Sequence, residues 1–528
     1  MSAGVLVRRA AHGATALRGG RVWRPTPYQA AGFLFWLVVS LAYWRVPLCC
    51  DAGQHAAVVE RLKADLFHPR HPMADLPGAG SAYYSPYALA QGVAARLTGL
   101  GGWEVVRLAG PLNLLVLLTG VNRFVRTLTP RPWAPVLALV AMTLLWGTER
   151  AWWSGYLGLM SMTGNLGYPS TFAIGLTFWA WALTGARARD TRRVRWVGPG
   201  GLRGLPGYAA LGVLYGLVLL IHPITSVAAV LGAVALVAGW QPRRPGPGRS
   251  AVPVLGRWAL TGVTAALTGA VWPYFDVFAL AGNDSVDAVH RTLYAHLAGE
   301  FWLAVVVGLP ALWRRGRRSP RDPLVLMFAL DCLVVAYGRL SGHYTYGRVL
   351  GLTLVPLQFA LAVELAAPRP WSAARRVLGW AAAAGTALGF LTVHAGALVP
   401  AGFPQPPSWP AYGWAARHIG PGEVVITDGY YAGHAIAGYG PNLAAPAWPD
   451  PSLDERERER READVARYLD RDATRAERAA VVRRYRVRWL LLTRWRPVPE
   501  EAVVVAWSER TGEVLARVGS PGPGPGAR

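Results

Sequence analysis

The stretch "YQAAGFLFWLVVSLAYWRVPLCCDAGQH", Tyr28 to His55, decides how the rest is read. Its first seventeen residues are almost continuously apolar, long enough to cross a bilayer with little tilt. Its last five place an acid, Asp51, and an imidazole, His55, four residues apart just past the end of that run. A helix starting near Asp51 puts both on one face. On chemistry alone two readings stand side by side. Asp51 is either the N-cap of that helix, satisfying its free N–H groups, or a carboxylate held for use at the membrane surface.

Outward from this stretch the pattern repeats. Of 528 residues, 53% are hydrophobic and 16% are charged, against about 25% charged in a soluble domain. Apolar runs fall at 28–46, 106–122, 132–147, 169–185, 206–221, 224–240, 257–274, 300–313, 323–338, 348–366 and 377–398. The expectation is a polytopic α-helical membrane protein of about eleven spans. Segment 82–99 is amphipathic, with Pro86, Gln91 and Arg96, and is expected to lie at the interface. The chain has no cleavable signal pattern behind its first run.

Arginine distribution sets the orientation. With 82–99 outside the count, segments 1–27, 123–131, 186–205, 241–256, 314–322 and 367–376 hold 25 arginines against Asp190 and Asp322. By the positive-inside rule these face the cytoplasm. The N-terminus is then cytoplasmic and the region from 400 onward extracytoplasmic. The formal charge of +24 is explained by topology, so nucleic acid is not expected as a partner. The arginine-rich, nearly lysine-free composition fits a GC-rich bacterial genome. The expected location is a bacterial cytoplasmic membrane.

The outer face then collects the polar chemistry. Residues 47–105 form the first outer loop. Glu149, Trp152, Trp153 and Tyr156 follow a span; they either stack a sugar or sit as interfacial aromatics. His222-Pro223 stands at a hairpin. Asp276, Asp284, Asp287 and His290 share one loop without a metal-ligand pattern and read as solvated. Arg339, His343 and Arg348 gather at the outer end of the ninth and tenth spans. Asp331 falls inside a span and must face protein or water. Cys49, Cys50 and Cys332 have no zinc spacing, and no metal site is expected from ligand spacing.

Beyond 400 the character changes. "GEVVITDG" (422–429), "VRWLLLT" (487–493) and "AVVVAWS" (502–508) read as strands. Thr474-Arg475-Ala476-Glu477 reads as a capping box opening a helix to Arg484. The expected organisation is a basic N-terminal segment 1–27, a transmembrane domain 28–399, a small α/β domain 400–518 and a flexible tail 519–528. Tyr430 and Tyr431 sit in an aromatic turn, "TDGYYAGH" (427–434).

The order of these parts resembles the GT-C superfamily of polytopic glycosyltransferases, including the polyprenyl-phosphate mannosyltransferases and the lipid A aminoarabinose transferase. The resemblance rests on Asp51 after the first span, "YYSPYALAQGVAARLTGL" (83–100), "NLGYPSTFAIGLTFWAW" (165–181), "IHPITSVAAVLGA" (221–233), "YGRVLGLTLVPLQFALA" (346–362) and the trailing α/β domain. It implies a sugar moved from a polyprenyl-phosphate donor to a hydroxyl of an envelope glycolipid, polysaccharide or protein, with inversion. It implies Asp51 as base with His55 beside it. It implies Arg348, with Arg339 and His343, at the donor phosphate, and Trp152, Trp153, Tyr156, Tyr168, His222, Tyr430 and Tyr431 as substrate contacts. Many family members pair two acids in the first loop; here Asp51 stands alone, which puts a divalent cation in question. The alternatives are a flippase of a lipid-linked intermediate, or a non-catalytic assembly partner that kept the architecture.

Overall fold

The computed structural model describes residues 25–76, 80–189, 204–241, 252–450 and 453–519. Most of the basic segment 1–27, much of the arginine-rich loops 186–205 and 241–256, and nearly all of the tail 519–528 lie outside the described residues.

The first span is helix α1 (Pro27–Arg45), opened by a Thr26 capping box with Gln29. Two short helices follow, α2 (Ala52–Ala64) and α3 (Pro86–Thr98). Thirteen residues of α3 extend only about 20 Å, short of the roughly 30 Å hydrocarbon core, as expected for an interfacial segment. Tyr87 of α3 bonds Asn113 in the next helix, α4 (Gly102–Leu128). Leu62 of α2 packs where a Cβ on Gly92 of α3 would stand, 2.4 Å away. The first contact holds α3 against the bundle and the second packs α2 on α3.

The fold continues through α5 (Ala134–Leu144), α6 (Leu159–Gly164), α7 (Pro169–Ala188), α8 (Leu205–Ile221), α9 (Pro223–Trp240), α10 (Val252–Ala270), α11 (Asp287–His290), α12 (Leu297–Arg318), α13 (Pro323–Ser341), α14 (Leu350–Thr353), α15 (Val355–Leu365) and α16 (Ala373–Gly389). Every expected span is largely helical. Six helical segments among the described residues are long and apolar enough to cross a membrane on length and composition. The core sits where α4, α7 and α15 meet: Phe124, Phe178, Trp181 and Phe359 pack with ring centroids 5.3–5.9 Å apart.

One of these helices is notably short. Segment 132–147 shrinks to the eleven residues of α5. The chain leaves the helix early because side chains take over its last carbonyls. The Trp146 indole donates to Met142 O at 2.7 Å, and Gln358 Nε2 donates to Leu145 O at 2.9 Å. Irregular backbone at membrane depth survives only where protein satisfies it. The freed segment, 145–158, runs to the site described below.

The trailing region adds α17 (Gly413–Ala416), α18 (Tyr430–Ala435), α19 (Glu455–Leu469) and α20 (Arg475–Tyr485) around a five-stranded sheet. Its strands are β1 (Val424–Thr427), β2 (Asn442–Leu443), β3 (Val487–Leu492), β4 (Ala502–Trp507) and β5 (Val514–Val518), in spatial order β2-β1-β3-β5-β4. The β1 strand pairs in parallel with β2 and β3; β5 runs antiparallel between β3 and β4. The capping box at Thr474 is present.

This domain is bolted to the segment between α1 and α4. Arg61 of α2 donates to Gly440 O, Pro441 O and Asn442 Oδ1 at 2.6–2.8 Å. Leu443 N–H donates to Met73 O at 2.8 Å, so the segment pairs with the sheet's β2 edge. Ser81 Oγ donates to Asp450 at 2.5 Å, His71 lies 3.3 Å from the same carboxylate, and Asp75 pairs with Arg70 and Arg486.

Candidate active site

Asp51 occupies the N-cap position of α2, yet its side chain makes no capping hydrogen bond. The bland reading of this acid therefore fails: the carboxylate does not serve the helix. The residue before it, Cys50, has φ +61°, a left-handed conformation costly for a side chain of this kind. That turn aims the chain from α1 into α2 and sets the direction of Asp51.

Two open spaces flank this corner. A narrow recess is lined by Ser154, Gly155, Ile174, His222, Thr225 and Arg348, among others. A wider groove of about 1030 Å³ runs between the α1–α2 segment and the sheet domain, past Cys49, Cys50, Trp103, Trp409, Tyr439 and His434. Asp51 lies within electrostatic reach of both. Burial pushes its carboxyl above the usual range, while the charges of Arg348 from the cavity and His434 from the groove pull it part of the way back. Burial wins because taking a carboxylate out of water costs more than these two fields return.

Arg348 comes from a 3₁₀ turn, Tyr344–Val349. Its Nη2 donates to Ser154 Oγ at 2.6 Å and its guanidinium lies 5.4 Å from the Trp153 ring centre. No carboxylate makes a short ion pair with it among the described residues. The early end of α5 is what brings Trp153 and Ser154 here.

Two histidines, His222 and His290, feel this charge, and a third, His55, lies one turn from Asp51. His222 closes α8 and caps α9: its Nδ1 accepts from Thr225 N–H at 3.2 Å. That acceptance leaves the proton of the neutral ring on Nε2, a donor. His290 Nδ1 is 2.9 Å from Thr345 Oγ1, whose proton goes to Asp287 Oδ1 at 2.5 Å. The relay makes His290 Nδ1–H the donor and leaves Nε2 an acceptor. His55 is clasped edge-on by Tyr168 and Tyr83, ring centres 5.1 and 5.9 Å away. Burial drives all three imidazoles down, His55 to about 4 and His222 and His290 to about 3, with Arg348 adding to the last two. They are neutral at physiological pH.

The expected site residues divide accordingly. Asp51, His55, Arg348, Trp153, Tyr168 and His222 come together. Tyr168 is buried and donates to Cys49 O at 2.6 Å, steadying the turn before Asp51. Trp152 packs on Gly164 behind Trp153. Tyr156 is enclosed between Trp146 and Phe301. His343 is 3.4 Å from Asp287, and Arg339 is exposed on α13. Neither lines the cavity beside Arg348. Tyr430 and Tyr431 are exposed and form an aromatic cluster with Trp409 and His434.

The 275–299 loop needs correction. Asp276 and Asp284 are exposed as expected, but Asp287 is buried and His290 packs against Trp153 at 5.7 Å. His290 and His434 are site residues the sequence did not single out. A histidine in an outer loop and another ending an aromatic turn were the only signals. No group of three or more His, Cys, Asp and Glu side chains among the described residues is placed to hold a metal ion. Asp331 is buried with both carboxylate oxygens lacking hydrogen-bond partners among the described residues.

No protein-family description matches the chain, and no curated protein matches it in sequence. Solved structures do. Arabinofuranosyltransferase AftD from Mycobacteria aligns over 93% of this chain at 16% identity and TM-score 0.54. This chain spans about 41% of AftD's length. The oligosaccharyltransferase AglB from Archaeoglobus fulgidus aligns over 88% of this chain and 69% of its own, at 12% identity and TM-score 0.49. ArnT from Cupriavidus metallidurans aligns over 92% and 98%, at 14% identity and TM-score 0.47. The chain shares the fold of the arabinofuranosyltransferase structure, and six of its helices among the described residues are long and apolar enough to cross a membrane.

Proposed function

We propose that this chain is a membrane glycosyltransferase that moves a sugar from a polyprenyl-phosphate donor to an acceptor hydroxyl on the outer side of the membrane. The observation that carries the reading is the position of Asp51. A carboxylate relieved of capping duty feels the charges of Arg348, which lines the cavity, and of His434, which lines the groove under the sheet domain. Arg348 at the first is chemically suited to the phosphate of the donor; the second is wide enough to admit the acceptor.

The reaction follows from these roles. The acceptor hydroxyl enters along the groove and gives its proton to Asp51 as its oxygen attacks the anomeric carbon. The glycosidic C–O bond to the phosphate breaks, and the bonding pair leaves on the phosphate oxygen. Arg348 and the His222 Nε2–H face the charge that develops there. One displacement from the side opposite the phosphate inverts the anomeric centre. His55, neutral and held by two tyrosines, shapes the floor beside Asp51.

The eleven-span arrangement belongs to this reading, with α3 at the interface, the N-terminus cytoplasmic and the sheet domain outside. So does a role for Tyr430 and Tyr431, whose exposed rings beside the groove suit a sugar face.

The test uses purified protein in nanodiscs. Undecaprenyl phosphate, the leaving group without the sugar, should bind the parent and Asp51→Asn alike and bind Arg348→Ala poorly. Incubation with membrane lipid extract should transfer sugar to acceptor in the parent only. Binding of undecaprenyl phosphate no tighter than binding of an uncharged polyprenol would refute the reading.

A further inference from the structure

A recess of about 2050 Å³ opens at the far end of the bundle from Asp51, between α5, α15 and α16. Its walls are apolar, with Leu137 and Val140 of α5 facing Leu361 and Leu365 of α15. Trp133, Trp371 and Trp380 stand at its edge, and Trp133 and Trp380 are largely exposed. Arg369 and Arg376 line the same recess.

These two arginines differ from their neighbours. Three nearby arginines, Arg314, Arg318 and Arg375, converge on the buried Glu364 at 2.9–3.4 Å. That acid is saturated. Arg131 donates to Val363 O. Arg369 lies against the Trp371 ring at 5.6 Å, and neither it nor Arg376 makes an ion pair among the described residues. The recess therefore combines an apolar wall, an aromatic rim and two cations without a protein anion. Tryptophan is at home at the level of lipid headgroups, and guanidinium matches phosphate through paired donors.

We propose that this recess binds an anionic phospholipid, with its phosphate between Arg369 and Arg376 and an acyl chain along the α5–α15–α16 wall. A zwitterionic headgroup presents the same phosphate with a compensating ammonium, so it gains less from two arginines. The arginines of this segment thus do more than orient the chain: they select a lipid. The site is remote from Asp51, so the inference stands apart from the proposed reaction.

Native mass spectrometry of the purified full chain decides it, with an equimolar mixture of phosphatidylglycerol and phosphatidylethanolamine as probe. The parent should retain phosphatidylglycerol in clear preference. Each arginine near a headgroup is worth about 1 kcal/mol, roughly fivefold. Arg369→Gln and Arg376→Gln should each reduce the preference by about that factor. Arg369→Lys and Arg376→Lys should keep most of it. Arg123→Gln, an arginine over Trp179 outside the recess, should leave it unchanged. Equal retention of the two lipids by the parent would overturn the proposal. So would a preference that survives in both glutamine variants, or one that falls equally in Arg123→Gln.

Discussion

A Cβ built on Gly53 would stand 2.0 Å from the carbonyl oxygen of His434. The first turn of α2 and the α18 turn of the sheet domain touch backbone to backbone, two residues from Asp51. Gly438 repeats the contact from the other side, its Cβ position 2.8 Å from Gly53 O. Only glycine allows this approach. The sheet domain is thereby held over the groove at a fixed height.

Gly53→Ala should lift that domain without unfolding either part, because the Arg61 and Leu443 hydrogen bonds lie further along the interface. Limited proteolysis should then cut between 399 and 412 faster than in the parent, and transfer should fall at least tenfold. Unchanged cleavage and turnover would mean the contact is absorbed by a small local shift.

Asp51→Asn should abolish transfer while leaving undecaprenyl phosphate binding intact, since the amide keeps the shape and loses the basic oxygen. In the parent, turnover should fall as pH drops through a value above the ordinary carboxylate range. The sign follows from burial: the raised carboxyl takes up its proton earlier on acidification, and a protonated acid cannot act as base. His55, His222 and His290 are neutral above pH 5 and add no limb there. A pH–rate profile flat down to pH 4 would place the base elsewhere.

His222 is expected to act as a neutral donor. Its Nδ1 is committed to the α9 cap, so only Nε2–H is free to face the phosphate. His222→Ala should weaken undecaprenyl phosphate binding by about 1.5 kcal/mol, roughly tenfold, the low end of the net value of one hydrogen bond to a charged group. The loss should be the same at pH 6 and pH 8. A loss that grows on acidification would mean the imidazole acts as a cation.

The line between what could and could not be read in the sequence follows the range of the interactions. The helix that starts beside Asp51 and the Thr474 helix rest on local patterns: the end of an apolar run and a capping box. These were legible. The early end of α5 was not, because Gln358 supplies the missing partner from over two hundred residues away. Without that break, Ser154 could not reach Arg348. His290 was hidden for the same reason, since Thr345 and Asp287 fix its tautomer across a fold contact. Strand β2 has two residues and β5 is bounded by a turn at Gly512; neither carries enough alternation to register.

Topology gives an independent check. Single cysteines at 190 and 316, in a background lacking Cys49, Cys50 and Cys332, should resist an impermeant thiol reagent from outside; one at 450 should react once Asp450's contact with Ser81 is lost. Labelling at 190 or 316 in intact cells would invert the orientation drawn from the arginines.

Arg348 carries the most specific expectation. It is the arginine of the small cavity, seated on Trp153 and bonded to Ser154, and its charge is one of two that restrain Asp51. Arginine buried at the membrane surface costs free energy unless an anion meets it, and the donor phosphate is the anion the proposed reaction supplies. Arg348→Ala should cost about 2–4 kcal/mol of transition-state stabilisation, roughly 30- to 1,000-fold in rate. Arg348→Lys should recover part, because a point charge cannot reproduce the fork. A second effect separates this role from a headgroup anchor. Removing the guanidinium takes away a charge that holds the Asp51 carboxyl down, so the acid limb of the pH–rate profile should move to higher pH in Arg348→Ala and stay near its parental position in Arg348→Lys. A mere anchor would shift neither the limb nor undecaprenyl phosphate binding. Turnover and binding both within about twofold of the parent, with the limb unmoved, would remove Arg348 from the site.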